Sequence, residues 1–176
     1  AKGGILNGRK IELVVYDDGN SPVEGVAASQ RLLDRDKVKV IMGQISSTVA
    51  LAVLPLAKVE DVIFMPIIPK HNGVTATGYD KVFRLNSTVA MDGAVFNDYV
   101  ATQINPTKIT FIGENSDFGR LLETSLSTAF GKSKMGFVGF YDLKQADFNS
   151  LVTDARSSGA DTLVVGGAIV EQYANL

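Results

Sequence analysis

The sequence predicts an α/β fold built on parallel sheets flanked by helices, and three observations carry that prediction. Short apolar runs recur along the chain. A single amphipathic helix separates most of them. Turn-forming residues stand at the joints. Strands joined through single helices pair in parallel by crossover connections.

The elements follow in order. Ile11–Tyr16 is β-rich and ends in the turn composition Asp17-Asp18-Gly19-Asn20. Ser21-Pro22-Val23-Glu24 has the form of a capping box, with Pro22 at the first helical position, and predicts a helix to about Asp36. Val38–Met42 is a continuous apolar run, as in a strand covered on both faces. After a turn at Gly43–Ser47, Val49, Ala52, Val53 and Leu56 form one helical stripe. Pro55 inside that stripe predicts a kink or the end of the regular helix. Val62–Met65 reads as a strand, Pro66–Gly78 as a loop, and Lys81–Leu85 as a short strand.

The second half repeats the rhythm. Ser87 is placed to cap a helix carrying Met91, Ala94, Val95 and Tyr99. Strands are expected at Lys108–Ile112, Phe137–Tyr141 and Thr162–Val165. Helices are expected through Phe118–Ala129 and Phe148–Ala155, with Gly159 as a C-terminal cap glycine. In sheets of this kind ligands bind beyond the carboxyl ends of the strands. The loops after Tyr16, Met42, Met65, Ile112, Tyr141 and Val165 are therefore the ones to inspect.

Composition narrows the function classes. The 176 residues are 45% hydrophobic and 20% charged, with a net charge of −2, so no basic excess attracts nucleic acid. There is no cysteine, which excludes disulfides, thiol nucleophiles and thiolate metal sites. No uncharged apolar run approaches the ~20 residues of a membrane span.

The turn Gly43-Gln44-Ile45-Ser46-Ser47-Thr48 follows a strand and opens a helix. Its hydroxyls stand beside unpaired N–H groups at a positive dipole end, which suits a carboxylate or phosphate. The same serines also suit simple capping of their own helix. Asp17-Asp18 at a strand end is compatible with Mg²⁺ in the manner of phosphoacceptor domains, or with a solvated turn. Gly131-Lys132-Ser133 is not a P-loop, because Leu126 stands where the leading glycine belongs. His71 is the single histidine, and no catalytic set or metal cluster can be assembled around it. Neither a catalytic residue, a metal nor a cofactor is expected.

Several segments, taken in order, resemble the leucine/isoleucine/valine-binding proteins. In the first half these are Ile11-Glu12-Leu13-Val14-Val15-Tyr16-Asp17-Asp18, Ser21-Pro22, Arg31-Leu32-Leu33 and Val38–Gly43. In the second they are Lys108–Ile112, Asp117-Phe118-Gly119, Asp147-Phe148 and Ala160-Asp161. These relatives are extracytoplasmic receptors that feed ABC transporters. The resemblance implies two Rossmann-like lobes, here residues 1–86 and 87–176, with a crossover near Leu85–Val89. It also implies a chain truncated at both ends, with exposed apolar faces that favour self-association.

By position, the resemblance makes Ser47 the hydroxyl that holds a ligand carboxylate, with Thr48 beside it. Ile68 and Lys70 fall where amino-acid receptors carry small residues and a hydroxyl, a departure that points towards organic or aromatic acids. Phe118 takes the place of an aromatic that covers the ligand, and Ala168 leaves room where some members carry a second aromatic. The implied protein is a non-enzymatic receptor, periplasmic or extracellular, with or without a membrane anchor. Its partners are a small ligand and an ABC permease. The alternatives are a ligand-sensing domain of a receptor or regulator, or an enzyme domain using Asp17 and Asp18 with Mg²⁺.

Overall fold

The computed structural model describes residue 8 and residues 10–167. Five helices and five strands alternate along it: α1 (Pro22–Asp34), β1 (Val40–Gly43), α2 (Ser47–Val59), β2 (Ile63–Pro66), α3 (Val89–Tyr99), β3 (Ile109–Glu114), α4 (Asp117–Phe130), β4 (Met135–Tyr141), α5 (Asn149–Ser157) and β5 (Thr162–Gly166). The strands form two parallel sheets, β1-β2 and β4-β3-β5. The expected α/β class and parallel pairing are what the chain adopts.

Local chemistry explains most of the helix boundaries. The Glu24 N–H donates to Ser21 Oγ at the start of α1, and the Val49 N–H to Ser46 Oγ at the start of α2. At α3 the cap is Thr88, whose hydroxyl accepts from the Met91 N–H, and not Ser87. Beyond α5, Gly159 takes φ +66°, the left-handed conformation expected of a residue just past a helix end. Helix α2 runs through Pro55 to Val59.

The first sheet and helices α1 and α2 share a core that includes Ile41, Val49, Val53, Phe64 and Val74. The buried face of α2 is Val49, Ala50, Val53, Leu54 and Ala57. This face is turned by one residue from the expected stripe, because α2 packs against both α1 and β2. Tyr79 ties the core together, donating its hydroxyl to the carbonyls of Ala57 and Val62 at 3.0 and 2.5 Å. The second sheet has its own core around Ile109, Phe111, Leu126 and Tyr141. There Phe111 meets Phe140 edge-on at 6.0 Å.

Three expectations differ from the structure. Residues 11–18 form no ladder among the described residues, and Ile11, Leu13 and Val15 stand exposed. The segment is strand-like in composition and lies beside β1, lining one hollow with residues 38–42, but among the described residues it makes no ladder with that strand. Lys81–Leu85 contributes a single bridge, Val82 to Phe64, in place of a strand. On α3 the apolar residues Met91, Val95 and Tyr99 face outwards, while Val89 and Gly93 are buried.

Asp161 fastens the second sheet at its base. Its carboxylate accepts from the Thr107 and Lys108 N–H groups at 2.9 and 3.2 Å, joining the approach to β3 with the approach to β5. Those backbone hydrogen bonds hold its carboxyl down at about 2, below the ordinary 3.8. A carboxyl depressed in the folded state contributes stability above its unfolded pKa and loses it as pH falls towards the folded value. Asp161→Asn is therefore expected to lower the thermal midpoint by a constant amount above pH ~4. Between there and pH 2 the gap from the parent should close. A pH series of melts checks this. A gap independent of pH over that window would show that the carboxylate charge contributes nothing.

Candidate functional site

A cavity of about 710 Å³ opens between the carboxyl ends of the two sheets. Ser47, Ile68 and Lys70 line it from one side and Phe118 from the other, so four of the anticipated residues meet there. Ala168 lies outside the described residues; its neighbour Gly167 lines the cavity.

The site is assembled from helix N-termini. Strand β1 ends at Gly43, and Gln44 turns the chain with φ +55°. Ser46 then caps α2, which leaves Ser47 as its first residue. The sequence left open which serine caps; the structure separates the two. Ser47 is buried, and its Oγ accepts from the His71 N–H at 3.2 Å. With an acceptor site thus filled, the hydroxyl proton remains to be donated. The amides of the first helical residues also lie outside the helix's own ladder. Hydroxyl proton, amides and dipole together favour an anionic group.

Across the cavity, Ser116 caps α4 by accepting from the Gly119 N–H at 3.2 Å, which places Phe118 in the first turn. The two helix starts touch. Thr48 does not line the cavity; its Oγ1 accepts from the Asp117 N–H at 3.3 Å and so joins α2 to α4.

Lys70 is already paired. Its ammonium lies 2.5 Å from Asp92 Oδ2 and 3.4 Å from Ser87 Oγ. The ammonium, and next the Ser87 hydroxyl, hold the Asp92 carboxyl below its ordinary value. Asp92 and Glu114, both lining residues, were not anticipated. Asp92 sits 22 residues from Lys70, beyond the reach of any local pattern. Glu114 is the buried last residue of β3. The apolar run that marks this strand in sequence stops at Ile112, and β3 continues two residues further to Glu114.

The remaining candidates have structural duties. Asp17 Oδ1 accepts from the Gly19 N–H at 2.8 Å, and Asp18 Oδ1 from the Asn20 N–H at 2.9 Å, so both carboxylates brace the turn into α1. His71 Nδ1 accepts from the Gly73 N–H at 3.0 Å. Among the described residues no group of three or more His, Asp or Glu is arranged to hold a metal, and no helix is long and apolar enough to cross a membrane.

Two parallel sheets that meet at a solute-sized cavity between helix N-termini form the kind of concave site that takes a small molecule. The family model described as Periplasmic binding protein matches residues 1–175, and the chain belongs to that family. It is 32% identical over 172 residues to an amino acid binding protein of Pseudomonas aeruginosa, covering 95% of this chain and 45% of that one. A leucine binding protein from Thermotoga maritima superposes with a TM-score of 0.84 at 22% identity, over 91% of this chain and 46% of that one. A solute binding protein of an ABC transporter from Rhodopseudomonas palustris, in complex with p-hydroxybenzoic acid, gives 0.80 at 24% identity, over 90% and 43%. The chain thus spans about half the length of these relatives.

Proposed function

We propose that this chain supplies the cleft of an extracytoplasmic solute receptor that captures a small carboxylate-bearing ligand for an ABC transporter. The observation that carries the reading is the meeting of Ser47 and Phe118 in one cavity, each in the first turn of its helix. The ligand carboxylate sits against the Ser47 hydroxyl and the start of α2. Its apolar body lies against Phe118, Ile68 and Val89, which line the same space. The relatives supply the ligand classes: an amino acid, or an aromatic acid such as p-hydroxybenzoic acid.

In this reading residues 1–86 and 87–176 belong to two lobes that close on the solute, and the closed population is what a permease recognises. The protein binds and releases its ligand unchanged; it is not an enzyme. The exposed rows at Ile11, Leu13 and Val15 and at Met91, Val95 and Tyr99 are the surfaces through which isolated chains would self-associate.

A thermal-shift screen of the full-length protein tests the reading. Amino acids and aromatic monocarboxylates are expected to raise the melting temperature progressively with the logarithm of their concentration above Kd, with no turnover. A screen in which only uncharged sugars or amines raise it would overturn the assignment of an anion site at Ser47.

A further inference from the structure

We propose that Asp92 is a specificity-determining residue: it holds the charge of Lys70, so the cavity accepts a solute with one carboxylate and rejects a dicarboxylate. The inference deepens the receptor reading and rests on it. Lys70 is the one cationic side chain lining the cavity among the described residues. Asp17, Asp18, Asp92 and Glu114 line the same space. A solute carboxylate therefore has one favourable place, the start of α2. A second carboxylate would meet an ammonium already bonded to Asp92, and the other charged side chains of the lining are acidic.

The pair is built to persist. Lys70 and Asp92 lie on two segments that several hydrogen bonds sew together. The Val89 N–H donates to the Lys70 carbonyl at 2.9 Å and the Ala90 N–H to Asn72 Oδ1 at 3.2 Å. Asn86 Nδ2 donates to the Ile68 carbonyl at 2.8 Å, and an Arg84 guanidinium nitrogen to the His71 carbonyl at 2.7 Å. The loop that carries Lys70 is thereby tied to the residues that carry Asp92. Removing one member of a partly buried charge pair exposes the other to a new partner.

Calorimetric titration of the full-length protein with matched solutes tests this, using p-hydroxybenzoate against terephthalate and leucine against glutamate. The parent is expected to favour the monocarboxylate of the scaffold it binds by roughly tenfold or more. Asp92→Asn frees the ammonium and should narrow that ratio about tenfold, mainly by tightening the dicarboxylate. Adding Lys70→Gln to that variant should restore the preference. A parent that prefers the dicarboxylate, or a ratio unmoved by Asp92→Asn, overturns the inference while leaving the receptor reading intact. Should Asp92→Asn fail to fold, Lys70→Gln alone decides: the ratio should widen, and a ratio that stays or narrows overturns the inference. A parent that binds none of the four solutes removes the receptor reading and the inference with it.

Discussion

Gly119→Ala is expected to cost about 3 kcal/mol of stability or more and to abolish ligand binding at concentrations where the parent saturates. A Cβ at this position would lie 2.0 Å from the Glu114 carbonyl oxygen and 2.9 Å from its carbonyl carbon. Both are backbone atoms at the end of β3, a strand paired on both edges, so neither can swing aside. The helix must move instead. That breaks the Ser116 cap on the Gly119 N–H and carries Phe118 away from the cavity. Gly159→Ala makes the comparison. Nothing lies within 4 Å of its Cβ, so only the left-handed φ of +66° is penalised, at about 1–2 kcal/mol. Urea midpoints of the two variants measure the difference. Equal losses would show that α4 does not rest against Glu114 as closely as described.

What could be read from the chain follows the range of the forces involved. Caps and helical periods are local, so the Ser21 cap, the existence of α2 and α4 and the Gly159 turn were legible from spacing, while the exact buried face of α2 was not. The meeting of Ser47 with Phe118 was reached through the resemblance, because the two turns end strands of different sheets and spacing alone does not bring those sheets to one cleft. Side-chain bonds that need two distant segments folded together were not legible. In sequence, Ser87 is the residue placed to cap α3. The structure gives the cap to Thr88, and Ser87 instead meets Lys70, which arrives from another loop. Ile11–Tyr16 is the converse case: its composition favours a strand, but a ladder needs a partner edge that local composition cannot supply.

Ser47→Ala is expected to weaken carboxylate binding by roughly 10- to 100-fold, the worth of a hydrogen bond to a charged group. The same change should cost stability without ligand, about 1–2 kcal/mol, because the His71 N–H loses its acceptor in a part-buried place. The two effects separate through Ser46→Ala. Ser46 accepts from the Val49 N–H and caps α2, so its loss should cost about 1 kcal/mol of stability with a smaller effect on affinity. The argument turns on direction. The Ser46 oxygen is used by its own helix, whereas the Ser47 oxygen accepts from a neighbouring loop and keeps a proton for the solute. Titrations of both variants with one monocarboxylate measure this. If Ser46→Ala lost the greater affinity, the anion would have to be held by the cap itself, and Ser47 would be a loop anchor only.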